Sequence, residues 1–353
     1  MGLLISLLLT TVTACSKQKD HDKNQTAVNA NGIAKSQEQE VAAQADNDSF
    51  KQRVMSVGEE EVTYSEAMIY FKYIQSKYEA YFGNEIWDYN FDDRTFGDIA
   101  KQEIMDMIVQ TKIVSSKAEL YHVTLTEEEE MLIQENAKNF LSGITEEDKA
   151  LYGLTDEIVQ TFYRDNKLYE NVYDAATMNV NTEIPDEEVK QITIQQIVIA
   201  TTETNGDGVI TPMSKSRKEK KYNKIKKLLK EAKEAEDFFA FATANTESEK
   251  VEYSFGKGEM PEALEKAAFA LKTGEISRIV ETDEGYHIVY CVSDYDEDAT
   301  LEKKEEIIAE RQDVFFQELY KKWSRDYKIK LNDKVWNTMS FSKEAMPEPT
   351  KTP

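Results

Sequence analysis

Apolar residues recur every three or four positions over residues 64–81, which is the spacing of one face of a helix. That face consists of Met68, Phe71, Ile74, Tyr78 and Tyr81. The preceding residues predict two short strands, at 54–57 and 61–63. Thr63 and Glu66 have the spacing of a capping box, which predicts that the helix begins beside Thr63.

Further helices are predicted by the same spacing. A second covers roughly 97–120, a third begins at Thr126, where Glu129 completes another capping box, and a fourth begins at Thr155. The inner face of the third helix consists of Ile133, Ala137, Phe140 and Leu141. The aromatic residues here are typical of a core, although an exposed subset would suit a chaperone groove. Residues 51–188 are therefore predicted to form a mostly helical lobe.

The pattern changes to mixed strands and helices over 189–296. The predicted elements are a β-branched strand at 192–200, helices at about 214–236, 237–245 and 261–271, and two strands that end at Val292. Pro261 is at the first position of its helix, where its missing N–H costs nothing. The order β-α-α-α-β-β predicts a compact α+β domain.

A single long helix is predicted over 300–325, followed by a short strand at "YKIKLN" and a tail at 342–353. The apolar face of the helix consists of Ile308, Phe315, Leu319 and Trp323. A lone helix is not stable in water, so this one needs a packing partner. We expect residues 297–341 to complete the lobe of 51–188, which makes the α+β domain an insertion between its two halves.

The composition excludes several classes of function. The chain has 353 residues and a formal net charge of −24, whereas nucleic-acid binding needs a basic face. Cys15 lies near the end of an N-terminal apolar segment and Cys291 in an apolar strand, which does not indicate a disulfide framework. The three histidines lie far apart in the sequence, so no metal site and no cofactor are predicted.

Residues 1–15 predict export. Residues 3–12 are apolar but too short to span a bilayer as a helix, and they are typical of a signal-peptide core. The following "VTAC" resembles a bacterial lipobox, which implies cleavage before Cys15, a lipid on its sulfur, and an extracytoplasmic protein anchored to the cell membrane. No Lys or Arg precedes the apolar run, so either the start codon lies upstream or export is inefficient. The alternatives are a buried terminal helix and an N-myristoyl site at Gly2.

Three polar segments carry weaker signals. Residues 16–50 have almost no large apolar side chains and are predicted to be a flexible tether. "ETNGDGVIT" at 203–211 resembles part of a calcium-binding EF-hand loop, but Ser214 stands where the closing Glu belongs, so a plain turn is predicted. The lysine run at 215–230 is predicted to be a solvated helix face, with anionic lipid or cell-wall polymer as the alternative partner.

The stretch "GEMPEALEKAAFALKTGEISRIVETDEGYHIV" resembles the parvulin family of peptidyl-prolyl isomerases. The resemblance covers roughly 190–295 and is most specific in its second half. "SVGEEEVTYSE", the helices after it and the last long helix resemble the outer regions of PrsA- and SurA-type foldases, and the lipobox favours the PrsA type. The resemblance implies a parvulin-like domain inserted in a chaperone lobe.

The resemblance also implies four polar residues of an active site. His287 matches the second active-site histidine of the family, and Thr282 matches a threonine beside the histidine pair. Gln196 stands where the family has its first histidine, and Ser248 stands where it has an Asp or Cys. These last two are departures from the family pattern.

Three apolar residues are implied to bind the proline of the substrate. Met260 matches the pocket methionine of the family, and Phe269 matches an aromatic residue typical of the domain core. Leu264 replaces the pocket phenylalanine, a third departure.

The leading hypothesis is a membrane-anchored foldase that isomerises X-Pro bonds in unfolded or partly folded exported proteins. Two alternatives remain. One is a holdase with a catalytically weak or inactive parvulin fold, which the three departures favour. The other is a solute-binding lipoprotein, which predicts repeated βαβ units.

Overall fold

The computed structural model describes residues 50–341 except 205 and 207. The helices are α1 (Tyr64–Phe82), α2 (Phe96–Ser115), α3 (Glu127–Ser142), α4 (Glu146–Tyr152), α5 (Asp156–Thr177), α6 (Asp186–Val189), α7 (Lys215–Ala232), α8 (Phe238–Asn245), α9 (Glu262–Phe269), α10 (Glu297–Ser324) and α11 (Asp333–Trp336), with a 3-10 helix at Asn84–Asp88. The strands are β1 (Arg53–Val57), β2 (Glu60–Thr63), β3 (Asn90–Phe91), β4 (Arg94–Thr95), β5 (Ile192–Ala200), β6 (Thr202–Thr204), β7 (Ile210–Pro212), β8 (Glu252–Phe255), β9 (Val280–Glu281), β10 (Gly285–Ser293) and β11 (Ile329–Leu331). Within the described part of the chain, no helix combines the length and the apolar character needed to cross a membrane.

Some sequence predictions concern residues outside the described ranges. They are the signal peptide with Cys15, the tether up to residue 49, the tail at 342–353, and Asn205 and Asp207 of the loop that resembles part of an EF-hand. These features stay predictions from the sequence.

The core of the helical lobe contains residues from both ends of the described chain. Phe71 and Ile74 of α1 are each 1% exposed, and they belong to the same buried cluster as Phe316 and Trp323 of α10. Burial of apolar side chains is the main favourable term in folding. The C-terminal helix therefore completes a core that α1 begins, instead of forming one of its own.

Stacked aromatic rings close this core at its C-terminal side. The ring of Phe341 lies parallel to that of Trp87, with centroids 3.9 Å apart, and 5.0 Å from that of Phe71. Trp336 meets Phe71 edge to face at 5.7 Å. Such pairs add to the stabilisation from area burial alone.

A three-stranded sheet joins the two ends of the chain. β1 lies between β11 and β2, and both pairings are antiparallel. Val57 faces Ile329 across the β1–β11 pair. This topology confirms the predicted α+β fold with a helical lobe built from N- and C-terminal segments. The boundaries at 188/189 and 296/297 stay a prediction.

The inserted domain is built on a four-stranded antiparallel sheet in the order β8-β5-β10-β9. α7 and α8 pack on one face through Ile225, Leu228 and Phe238. α9 packs on the other face through Leu264 and Ala268. Neither β8 nor the β6–β7 hairpin was predicted. β8 has only four residues beside a glycine-rich turn, and β6 and β7 have three each, so their sequence pattern does not distinguish a short strand from a loop.

A buried ion cluster links three helices of the lobe. Lys112 Nζ of α2 lies 2.6 Å from Glu66 Oε1 of α1 and 2.6 Å from Asp165 Oδ2 of α5. The Lys112 side chain is only 7% exposed. Burial alone would lower the pKa of Lys112, but the two carboxylates outweigh it and raise that pKa above its usual value.

The same cluster explains why one capping prediction is only half right. Thr63 accepts the backbone N–H of Glu66, as expected, but the Glu66 carboxylate binds Lys112 and does not return to Thr63. The Thr126–Glu129 capping box is complete, as predicted. The Glu66 carboxylate therefore pairs with a lysine of another helix instead of capping the start of its own helix.

Three other local predictions are wrong in detail. Tyr81 is 82% exposed and not part of the inner face of α1, which ends one residue later. Phe315 is 45% exposed, whereas its neighbour Phe316 is 1% exposed, so Phe316 takes the predicted place of Phe315 on the inner face of α10, and Leu319 and Trp323 lie in the core as predicted. α2 ends at Ser115, about five residues earlier than predicted.

Candidate active site

Two central strands place Gln196 and His287 on the same face of the inserted sheet. Side chains alternate between the two faces of a strand, so Gln196 of β5 shares a face with Ile194, and His287 of β10 shares a face with Val289. The register sets Val289 opposite Gln196 and His287 opposite Val198. Gln196 and His287 are therefore diagonal neighbours.

A chain of hydrogen bonds runs through these residues. His287 Nδ1 lies 3.0 Å from Gln196 Oε1, and His287 Nε2 lies 2.8 Å from Thr282 Oγ1. A neutral imidazole satisfies both partners if Nδ1 donates to the glutamine oxygen and Nε2 accepts from the threonine hydroxyl. The Thr282 oxygen in turn accepts the backbone N–H of Gly285. Gln196 thus occupies the position of a hydrogen-bond partner without adding a second titratable ring.

Gly285 allows this close approach of β10 to β5. A Cβ atom at Gly285 would lie 2.5 Å from the carbonyl oxygen of Ile199, which no side chain tolerates. The glycine before "YHIV" is therefore needed for the strand pairing that places His287.

Burial keeps His287 neutral. The residue is 2% exposed, and desolvation lowers the pKa of His287 from 6.5 to about 4. Removing a group from water disfavours its charged form, and neither Gln196 nor Thr282 carries a compensating charge. The site is consequently uncharged at this position at neutral pH.

The three predicted substrate-binding residues lie in one apolar cluster on the same face as His287. Leu264 is 2% exposed, and Met260 and Phe269 are partly buried against the cluster. Ile194 and Val289 belong to this cluster and are strand neighbours of Gln196 and His287. The apolar group and the polar chain therefore meet on β5 and β10. Met260 and Phe269 have accessible surface, whereas Leu264 is almost completely buried.

Ser248 is placed differently from the other polar residues. It lies in the segment between α8 and β8, and its hydroxyl is 3.4 Å from the Tyr253 hydroxyl. Among the described residues, no hydrogen bond connects Ser248 to Gln196 or His287. The sequence analysis did not identify Tyr253 as a site residue, because it did not identify β8. The alternation of Tyr253 with Phe255 was a signal for that strand.

Acidification should destabilise the inserted domain through His287. An unfolded histidine titrates near 6.5, whereas the pKa of His287 in the folded domain is about 4. Between these values the unfolded chain binds more protons, so the stability that neutral His287 contributes is complete above pH 6.5 and is lost as the pH falls towards 4. We expect a loss of about 3 kcal/mol from this group between about pH 7 and about pH 4.

Urea unfolding of the 189–296 fragment and of its His287→Asn variant, measured at each pH, isolates this contribution. The variant lacks the titrating ring but shares every other ionisable group. The difference in unfolding free energy between the two proteins should therefore change by about 3 kcal/mol over that range. A difference independent of pH would show that His287 is not buried as a neutral ring.

The chain is similar to several known proteins. Residues 197–293 match the Rotamase family, described as the PPIC-type PPIASE domain. The foldase protein PrsA of Caldanaerobacter subterraneus subsp. tengcongensis is 25% identical over 279 residues, which are 74% of this chain and 83% of that protein. The foldase protein PrsA of Staphylococcus epidermidis is 37% identical over 84 residues, which are 22% of this chain and 25% of that protein. The solved structure of foldase protein PrsA from Lactococcus lactis is 16% identical, with a TM-score of 0.34, and the similarity covers 81% of this chain and 96% of that one.

The chain therefore contains a parvulin-type peptidyl-prolyl cis-trans isomerase domain, as the resemblance predicted. Outside this domain the chain is similar to PrsA foldases, since the longest of these alignments extends over about three quarters of its residues.

Proposed function

We propose that this protein is an extracytoplasmic, membrane-anchored foldase, which isomerises X-Pro bonds in exported proteins and holds their unfolded segments on its helical lobe. The observation that carries the proposal is the neutral Gln196–His287–Thr282 chain beside the Met260 cluster on one face of the sheet. The similarity to PrsA foldases supports the wider role.

Prolyl isomerisation needs a site that binds a twisted amide better than a planar one. The barrier to rotation is about 18–20 kcal/mol, and no covalent bond is broken. An apolar pocket around the proline ring excludes water and disfavours the charge-separated resonance form that keeps the amide planar. Met260 and Phe269 would form the accessible wall of this pocket, with Leu264 beneath them. The neutral hydrogen-bond chain through His287 would orient the substrate carbonyl without adding charge.

Truncation of Met260 should slow catalysis more than a conservative change of the histidine. Met260→Ala opens the wall of the pocket, and we expect kcat/KM for an X-Pro peptide to fall about tenfold, which corresponds to about 1.4 kcal/mol of transition-state binding. His287→Asn keeps a hydrogen-bonding side chain and should cost less than this. Both variants are to be assayed as the 189–296 fragment, with circular dichroism to confirm folding.

Leu229→Ala is a suitable control, because Leu229 packs partly buried on the opposite face of the sheet. As long as that variant is folded, it should keep wild-type kcat/KM, even if it is less stable. A folded Met260→Ala fragment with undiminished activity would contradict the pocket assignment.

A holdase with little isomerase activity is the second candidate function. Two observations favour it. Ser248 contacts Tyr253 and is not hydrogen-bonded to His287 or its partners, and Leu264 is buried. Suppression of client aggregation without acceleration of X-Pro isomerisation would select this alternative. A solute-binding lipoprotein fits less well, because every strand pair in the described ranges is antiparallel and no repeated βαβ unit occurs there.

Cys15→Ser should release the protein from membranes without unfolding it. The thiol of Cys15 is the proposed site of lipid attachment, and residues 16–49 have almost no large apolar side chains that could belong to a core. Fractionation of cells that express either form measures the change, with the unfolding midpoint of the purified proteins as the control. Equal membrane retention of the serine variant would rule out the lipid anchor.

A further inference from the structure

Apart from Phe315 of α10, the exposed aromatic side chains described for the helical lobe are four residues from one stretch of the chain. Tyr81 is 82% exposed, Phe82 64%, Tyr89 58% and Phe91 48%. They lie at the end of α1 and on the segment that leads through the 3-10 helix into the β3–β4 hairpin. Exposed aromatic residues of this size cost free energy in water, and grouped exposure marks a site of interaction.

Tyr89 and Phe91 continue the aromatic core outward. The Tyr89 and Phe91 rings lie 4.9 Å apart, and Phe91 lies 6.2 Å from half-buried Phe96. Phe96 in turn contacts Tyr78 at 4.9 Å. Phe82 follows Tyr78 by one helical turn on the same side of α1. We call the four exposed residues Tyr81, Phe82, Tyr89 and Phe91 the aromatic surface.

The backbone beneath the aromatic surface is held in place. Phe96 N donates to Tyr89 O at 2.8 Å, which closes the hairpin. Thr95 and Asp98 form a complete capping box at the start of α2. Trp87 Nε1 donates to Glu79 Oε1 at 2.8 Å and anchors the 3-10 helix to α1. A surface that is ordered before binding loses little conformational entropy on binding.

The charge around the aromatic surface is mainly negative. Residues 84–93 read "NEIWDYNFDD" and carry four carboxylates, and the next residue, Arg94, which pairs with Phe91 across the hairpin, is basic. Asp92 and Asp93 follow Phe91 directly at the tip of the hairpin. Aromatic faces attract ammonium and guanidinium groups, and nearby carboxylates strengthen that attraction.

From this complementarity we propose that the aromatic surface binds unfolded polypeptide segments that carry lysine or arginine among apolar residues. This inference rests on the proposed foldase function and specifies which unfolded segments the foldase would bind. Lysine and arginine side chains would lie over the exposed rings with their charged ends towards Asp92 and Asp93. Apolar side chains of the same segment would cover the remaining ring surface.

Binding of proline-free peptides to the full chain tests the proposal separately from catalysis. The probe is a fluorescent, unstructured peptide of lysine, leucine, glycine and serine, and its control has glutamate at every lysine position. Fluorescence anisotropy should show binding of the lysine peptide, weakening as salt rises from about 0.05 M to about 0.5 M, and at least about tenfold weaker binding of the glutamate peptide.

Two variants place the binding on the aromatic surface. Tyr89→Ser with Phe91→Ser should weaken Kd for the lysine peptide about tenfold, which corresponds to about 1.4 kcal/mol. The matched control is Phe239→Ser with Tyr295→Ser, because Phe239 and Tyr295 are 47% and 44% exposed but lie outside the aromatic surface. The control should bind as the wild type does. Asp92→Asn with Asp93→Asn should weaken binding without removing any aromatic ring, and it decides the question if the serine variant does not fold.

Several results would overturn the proposal. They are equal binding of the two peptides, no binding of either, and equal losses in the aromatic and control variants. A wild-type dimer in sedimentation that the Tyr89→Ser with Phe91→Ser variant loses would assign the surface to a second copy of the chain instead. Undiminished kcat/KM for a short X-Pro peptide alongside any of these results would leave the proposed isomerase function intact.

Discussion

A chain that ends at residue 302 should lose its folded helical lobe and keep its isomerase domain. The removed part contains five side chains of the lobe core, each 7% exposed or less: Phe316, Trp323, Trp336, Met339 and Phe341. Burial of such side chains contributes about 1.5–3 kcal/mol each, so the total loss of about 7.5–15 kcal/mol is comparable with the roughly 5–15 kcal/mol by which domains are stable. The removal also takes away β11, the partner of β1.

The tryptophans make this result measurable. All three tryptophans of the chain, Trp87, Trp323 and Trp336, lie in the lobe core, so emission from Trp87 reports the lobe in the shortened chain. We expect red-shifted emission without a cooperative unfolding transition, while X-Pro isomerisation continues. Neighbouring phenylalanines provide a matched control in the full chain. Phe316→Ala, at 1% exposure, should cost about 3–5 kcal/mol, and Phe315→Ala, at 45% exposure, far less. A shortened chain with a cooperatively folded lobe would contradict the split-lobe architecture.

Lys112→Ala should lower the unfolding free energy of the lobe by about 3–5 kcal/mol, because it leaves the Glu66 and Asp165 carboxylates buried without their cation. Exposed ion pairs contribute far less. Arg53→Ala breaks the exposed Arg53–Glu61 pair and should cost at most about 1 kcal/mol. Urea denaturation followed by tryptophan emission compares the two variants.

Replacing all three charged residues of the cluster distinguishes the cost of an unpaired buried charge from the cost of lost packing. Lys112→Met with Glu66→Gln and Asp165→Asn removes the buried charges together, and it should recover part of the stability lost in Lys112→Ala. Equal stability of Lys112→Ala and Arg53→Ala would mean that the buried cluster does not hold the three helices together.

The sequence predicted the architecture where local pattern and burial agree. The strand at 192–200, the helix from Thr126 and the return of the last helix to the N-terminal lobe all follow from periodicity, capping and the instability of a lone helix. The pairing of Glu66 with Lys112 was not predictable, since it joins residues 46 positions apart whose proximity depends on helix packing. The burial of Phe316 instead of Phe315 was not predictable either, because two adjacent phenylalanines fit the helical spacing almost equally well.

The active site was predicted by resemblance more than by pattern. Gln196 and His287 are 91 positions apart, and only the family order connected them before the strand register was known. Burial then determined what the resemblance left open, namely that His287 is neutral. Tyr253 was missed because its strand was missed. The catalytic roles of His287, Thr282, Gln196 and Ser248 stay predictions.

The most direct test of the central claim is kcat/KM of the 189–296 fragment on an X-Pro peptide between about pH 5.5 and about pH 8. Because the pKa of His287 is about 4, the ring is neutral throughout this range, and the account predicts clear acceleration that changes little with pH. Gln196→His should introduce a pH-dependent term, since it adds a second titratable ring. A folded fragment without acceleration, or wild-type activity that follows a group with a pKa near 6.5, would contradict the account.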